Sequence, residues 1–272
     1  MFSIKLLLKF LILFQCLGLA SISILDGTSL GTYLFLYGGL AESLSYSLNY
    51  FISGLLMCIA ALSLFKVWGP SLLLMALLFA IESFFKTMLG GSFASDLTLA
   101  AHLVRFAWPL LLGLVIIFDP SWQSLKRRDV LFFLKVMIAV TFFVHGIEAL
   151  MMHPKFIDFI IVTNRKLGFL PATEAFARWS LYIIGAVDIL AALGLVFKAT
   201  RLTLIYMMVW GGLTAFIRFV YADIQGVPDV FLRAPHVGIP LLIWILGGFR
   251  VFKKSKKGSN EINRSSEAVK LA

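Results

Sequence analysis

Runs of apolar residues broken by short polar stretches recur along the whole chain. Crossing ~30 Å of hydrocarbon takes roughly 20 apolar residues in a helix. The pattern predicts eight spans, near 4–24, 47–67, 70–90, 99–118, 131–152, 178–197, 202–223 and 234–252. The breaks hold residues suited to helix ends: Gly69-Pro70, Asp119-Pro120, and Lys198 with Arg201. Two longer stretches, 25–46 and 153–177, are too broken for spans and read as interfacial or re-entrant segments.

Composition agrees with this pattern. The chain is 60% apolar with a mean hydropathy of +0.95, which places it among all-α polytopic membrane proteins. Charge then fixes an orientation. With a cytoplasmic N-terminus, 16 of the 24 basic residues fall on the cytoplasmic side, including Lys5, Lys9, Lys66, Lys126, Arg127, Arg128, Lys198, Arg201 and Arg250. Four acidic residues share that side, whereas the other side carries eight basic and ten acidic residues. The positive-inside rule therefore puts both termini in the cytoplasm, and the expected location is a bacterial inner membrane. A net charge of +10 suggests nucleic acid at first sight. The basic residues sit at helix ends, however, where they set topology and touch anionic lipid, so no nucleic-acid partner is expected. The expected partners are the bilayer and, in one reading, another membrane protein.

The first span has an alternative reading as a cleaved signal peptide, since Lys5 and Lys9 precede an apolar run and Ser21-Ile22-Ser23 is a loose cleavage site. Cleavage would leave the remaining topology unchanged.

Residues 47–115 align without a gap to 178–246, an offset of 131. Gly54 falls on Gly185, Ala60-Ala61-Leu62 on Ala191-Ala192-Leu193, and Pro109-Leu110-Leu111 on Pro240-Leu241-Leu242. His102 and Arg105 land on Arg233 and His236, the same residue types in swapped order. Each half reads as a span, a long outer segment and three further spans. The expected organisation is two tandem four-helix bundles, 1–118 and 131–252. Between them lies a basic cytoplasmic linker, 119–130, and after them a basic tail, 253–272, expected to be disordered.

The second half carries His145-Gly146 near the end of one span, then Pro154-Lys155-Phe156, then Leu181, Gly185, Asp188 and Ala191-Ala192-Leu193 in the next. In these residues it resembles the DoxX-like family of four-helix membrane proteins, whose second helix usually holds an acidic residue where Asp188 stands. The first half looks like a diverged copy, with Met57 at that position. The family includes quinone-linked oxidoreductase subunits, so the resemblance implies a quinone as one candidate cofactor.

A charge near the bilayer centre costs about 3 kcal/mol on insertion scales, so each embedded ionisable residue asks for an explanation. With this orientation they gather in the outer leaflet: Glu82 and Lys86, His102 and Arg105, His145 and Glu148, Arg178 and Asp188, Arg218 and Asp223, Arg233 and His236. Pairs three or four apart share a helix face, and such faces should turn away from lipid. A polar cavity opening toward the outer surface is the expected result. Its candidate ligand-binding residues are His102, Arg105, His145, Glu148, Arg178, Asp188, Arg218, Arg233 and His236.

Simpler roles compete at each position. Glu82 with Lys86 reads as an intrahelical pair, Arg105 and Arg233 as residues reaching for headgroups, and Arg218 with Asp188 or Glu148 as a clamp between helices. Asp223 and Asp229 are expected to face water, and His153 to lie at the interface. Cys16 and Cys58 lie in apolar helices without a C-x-x-C pair, so they read as small core residues and not as redox thiols. Dispersed histidines disfavour zinc. A haem would need two axial ligands, for which His102, His145 and His236 are the candidates. A quinone or another small amphiphile suits the pattern better, because it needs a few donors and apolar walls. The function classes left open are an oxidoreductase subunit that binds a small molecule, a small-solute transporter, and a non-catalytic membrane scaffold.

Overall fold

The computed structural model describes residues 2–91, 93–198 and 200–247. The tail, Arg250 and the end of the last expected span lie outside the described residues. Among the described residues every regular element is a helix. Seven segments there are long and apolar enough to cross a membrane: Ile4–Tyr37, Glu42–Phe65, Gly69–Met88, Ser95–Phe118, Arg128–Leu150, Glu174–Lys198 and Arg201–Ile245.

In the first half, α1 (Phe2–Leu25) leads into the short α2 (Ser29–Tyr37), then α3 (Glu42–Phe65), α4 (Gly69–Met88), the short α5 (Ser95–Ala101) and α6 (Leu103–Phe118). The second half runs through α7 (Arg128–Leu150), α8 (Pro154–Leu167), α9 (Glu174–Lys198), α10 (Arg201–Ala222), the short α11 (Val227–Leu232) and α12 (Ala234–Ile245). Both halves thus follow one order, in which each short helix precedes or follows a long one. The stretches 25–46 and 153–177 contain α2 and α8, one short helix each.

Helices pair within a half: α1 with α3, α4 with α6, α7 with α9, and α10 with α12. The Arg201–Ile245 segment is therefore folded back on itself, and its reversal uses a 3-10 turn at Asp223–Gly226. The halves interlock through their first helices. α1 docks on α11 and α12, while α7 docks on α5 and α6. The core follows these inner helices, with Leu8, Leu11 and Ile12 of α1, Leu112 of α6, Leu134 and Ile138 of α7, and Ile239, Leu242 and Ile243 of α12. The outer faces of α3, α9 and α10 carry exposed Phe51, Ile183, Leu190 and Val209, as a lipid-facing surface requires. Cys16 is buried, but Cys58 is exposed on α3 and does not belong to the core.

Lipid offers no hydrophobic drive for helices to associate, so small residues that let backbones approach matter more. Gly146 and Gly185 seat α7 against α9, and Gly69 and Gly113 seat α4 against α6. A Cβ at Gly185 would lie 2.7 Å from the Gly146 carbonyl, and one at Gly69 would lie 2.9 Å from the Gly113 carbonyl. Gly54, which aligns with Gly185 in sequence, faces open space.

Basic residues collect at one end of the bundle. Lys9 Nζ donates to the Leu64 carbonyl at 2.5 Å, at the C-terminus of α3 where a cation is favoured. Lys5 lies over the Trp122 ring at 5.4 Å, beside the linker. In that linker, hydrogen bonds from the Ser121 hydroxyl and the Ser124 N–H hold the Asp119 carboxyl well below the usual carboxylate range.

Candidate functional site

At the opposite end the halves enclose a polar hollow. α4 contributes Glu82 and Lys86, and the α5–α6 junction contributes His102 and Arg105. The second half contributes His145 and Glu148 from α7, His153 and Lys155 at the start of α8, Arg218 from α10, and Asp229 and Arg233 from α11 and its end. The empty volume is about 960 Å³, part of it open to solvent.

Two backbone junctions place three of these side chains, His102, Arg105 and Arg233, together with His236. His102 ends α5 and begins α6 with φ −93° and ψ 0°; Arg233 does the same between α11 and α12 with φ −91° and ψ 3°. Both occupy the sparsely populated bridge region. Each turn closes with the same hydrogen bond, Arg105 N–H to the His102 carbonyl at 2.8 Å and His236 N–H to the Arg233 carbonyl at 2.9 Å. The junctions differ in how the next N–H is satisfied. Val104 donates to Thr141 Oγ1 of α7 at 3.2 Å, whereas Pro235 has no N–H to satisfy.

Prolines then release two carbonyls of the site. Pro109 lies in α6 and Pro240 in α12. Each deprives the carbonyl four residues earlier, Arg105 or His236, of its helical donor. Gln15 of α1 replaces the first: its Nε2 donates to the Arg105 carbonyl at 2.6 Å, and its Oε1 accepts from Trp108 Nε1 at 2.8 Å. Gln15 and Trp108 are fully buried. Gly211 of α10 lies against the second, where a Cβ would be 2.9 Å from the His236 carbonyl.

His145 Nδ1 and Glu148 Oε2 are 2.8 Å apart. With Nδ1–H donating to the carboxylate, Nε2 is buried and has no partner among the described residues. Neither ring nitrogen of buried His236 has a partner among them. The His145 and His236 rings stack with centroids 6.0 Å apart. Burial holds the His153 imidazole below its ordinary range. Its neutral Nδ1 accepts from Lys155 N–H at 3.1 Å and caps α8, so His153 does more than mark the interface.

The arginines are less satisfied. Arg218 donates to the Thr214 carbonyl and lies 4.9 Å over the Phe159 ring. Arg105 Nε has no partner among the described residues. Arg233, 8% exposed, makes no side-chain hydrogen bond among the described residues. None of the three forms an ion pair with a carboxylate there.

A second hollow of about 650 Å³, part of it open to the surroundings, lies among α7, α8, α9, α10 and α12, walled by Phe142, Ile160, Leu181, Ile184 and Ile217. It shares His145, Phe156, Phe159, Arg218 and Arg233 with the polar hollow, so the two adjoin. Asp188 and Trp210 lie on its far side. Asp188 accepts from Tyr206 Oη at 2.6 Å and from Trp210 Nε1 at 3.2 Å, joining α9 to α10. Replacing Asp188 with asparagine keeps one acceptor and orphans one donor. The expected cost is about 1–2 kcal/mol, measured by thermal unfolding in detergent; an unchanged midpoint would contradict this role.

Of the nine candidate residues, eight line the adjoining hollows: His102, Arg105, His145, Glu148, Asp188, Arg218, Arg233 and His236. Asp188 and His236 line only the apolar one. Arg178 is a correction. It is exposed near the start of α9 and pairs with Glu174 one turn earlier at 2.7 Å, so it stays outside the site. Glu82 does not pair with Lys86 and instead accepts from Ser29 N–H at 2.8 Å and its hydroxyl at 2.5 Å, at the N-terminus of α2. Arg218 clamps neither Asp188 nor Glu148, and Arg105 and Arg233 turn into the hollow. Asp229 faces the hollow as well, while Asp223 is exposed and bound to Lys166 at 3.0 Å.

Sequence reasoning missed Lys155, Phe156, Phe159, Tyr206 and Trp210. A signal existed for each group: Phe156, Phe159, Ile160 and Thr163 follow helical spacing, and Tyr206 and Trp210 are polar-tipped aromatics four apart. Compared with known protein families, curated proteins and solved structures, the chain matches none.

Proposed function

We propose that this chain binds a small amphiphile in a cavity between two four-helix halves, on the extracytoplasmic side of a bacterial inner membrane. In this reading α1, α3, α4, α6, α7, α9, α10 and α12 each cross the bilayer, and the halves descend from one DoxX-like unit by duplication. The shared order of long and short helices supports this, as do the matching backbones of His102 and Arg233 at the offset of 131. Both termini are cytoplasmic, with Lys5, Lys9 and the linker at the inner end.

One observation carries the functional reading: an apolar hollow adjoins, across shared wall residues, a polar one lined from both halves. Ligand sites combine apolar walls with a few convergent polar groups, and this pair has that form. A quinone fits the donor set in kind. His145, Arg218 and Arg233 would hold its headgroup, Phe142, Leu181 and Ile184 would exclude water around its tail, and bound quinone would supply two-electron chemistry to an oxidoreductase subunit.

Transport is the second reading. It is favoured by the position of the polar hollow, whose walls separate if one half rocks against the other.

Mass spectrometry of small molecules retained after gentle solubilisation tests the binding reading. The wild type should retain an amphiphile at a stoichiometric level, and His145→Ala, Arg218→Ala and His236→Ala should each lower it at least tenfold. Uptake into proteoliposomes driven by a proton gradient would select transport. Unchanged ligand content in all three variants would instead select a non-catalytic scaffold.

A further inference from the structure

The amphiphile, if the site above holds one, needs a headgroup matched to the charges that meet it. Arg105, Arg218 and Arg233 face the polar hollow without a carboxylate partner among the described residues. Buried charge is costly unless paired, and a guanidinium presents a planar fork suited to two oxygens of one anion. Nearby carboxylates are engaged elsewhere: Glu82 by Ser29, and Glu148 by His145. Lys86 and Lys155 add positive charge at the same end, against which Asp229 is the opposing group.

Arg218 and Arg233 stand where the two hollows meet, since both line both. Arg218 is fixed there by the Thr214 carbonyl and the Phe159 ring, so its remaining donors are oriented before a ligand arrives. A ligand with its oxyanion on these arginines has apolar walls beginning beside its own headgroup. We infer that the site takes a single-chain anionic amphiphile, its carboxylate or phosphate held by Arg105, Arg218 and Arg233 and its hydrocarbon tail lying in the pocket between α7, α8, α9 and α10. This deepens the proposed binding function and rests on it. It also ranks a neutral quinone below an acidic lipid.

Titration calorimetry on the full chain in a neutral maltoside detergent tests this with four probes: dodecyl phosphate, dodecanol, a short-chain benzoquinone and inorganic phosphate. Dodecyl phosphate should bind saturably at one site, at least tenfold tighter than each of the other three. Affinity should fall at least tenfold further in Arg218→Gln/Arg233→Gln, and stay within twofold in Lys66→Gln/Lys198→Gln, which removes equal charge at the opposite end. If the arginine variant does not fold, the ranking of probes on wild type still decides. Inorganic phosphate binding as tightly as dodecyl phosphate overturns the amphiphile and leaves a free-anion site. Dodecanol or benzoquinone binding equally well overturns the anionic headgroup while the small-molecule reading stands. Failure of all four probes overturns both.

Discussion

Gly185→Leu should destabilise the protein by about 3 kcal/mol, the upper end for overpacking a tight contact. The new Cβ would meet the Gly146 carbonyl at 2.7 Å and Leu150 Cγ at 2.8 Å. The first neighbour is backbone and cannot rotate aside. α7 and α9 would have to separate, and they form one of the closest helix pairs in the molecule. Thermal unfolding in detergent should show the loss directly. Gly54→Leu is the matched control, because it aligns with Gly185 yet meets nothing within 4 Å. It should change stability by no more than about 0.5 kcal/mol. Equal losses at both positions would mean that close approach is not what Gly185 provides.

A comparable loss, about 2–4 kcal/mol, is expected from Gln15→Leu. The leucine is similar in bulk but leaves two buried groups unmade, the Trp108 N–H and the Arg105 carbonyl. Each orphaned group costs about 1–3 kcal/mol. The carbonyl has no fallback within its own helix, since Pro109 cannot donate to it. Gln15 also fixes the turn that aims Arg105 into the polar hollow. Ligand retention should therefore fall along with the unfolding midpoint. A variant that unfolds earlier yet keeps its full ligand content would show that Gln15 supports only the fold. If Pro109→Ala were combined with Gln15→Leu, the restored N–H should return part of the lost stability.

Much of the fold was legible because the bilayer is a severe solvent. Hydrocarbon thickness sets span length, and unsatisfied backbone groups are excluded, so apolar run length alone predicts the long helices. The same severity made the site partly legible. Eight of the candidate residues converge because ionisable groups at one depth have few places to go other than inward.

What failed was the choice of partner. Arg178 looked embedded, but Glu174 lies one turn away near the start of α9, and a local pair at the surface needs no cavity. Glu82 had Lys86 at the favourable spacing. The first N–H of α2 bound it instead, since a helix N-terminus offers both a free donor and a favourable dipole. The sequence shows the spacing within a helix, not which helix end will stand beside it. Gly54 and Gly185 make the same point in packing: equivalent in alignment, they face open space and a carbonyl respectively.

The docking of α1 on α11 has a consequence for biosynthesis. Gly18 of α1 fits so closely that a Cβ there would be 2.7 Å from the Pro228 carbonyl and 2.8 Å from Leu232 N. α1 thus waits for α11, which follows it by most of the described chain, to be inserted. Until then its seat must be shielded by lipid, by the translocon or by a chaperone. The polar hollow is therefore completed only after α11 has been made, and a nascent chain truncated before residue 227 should lack it altogether.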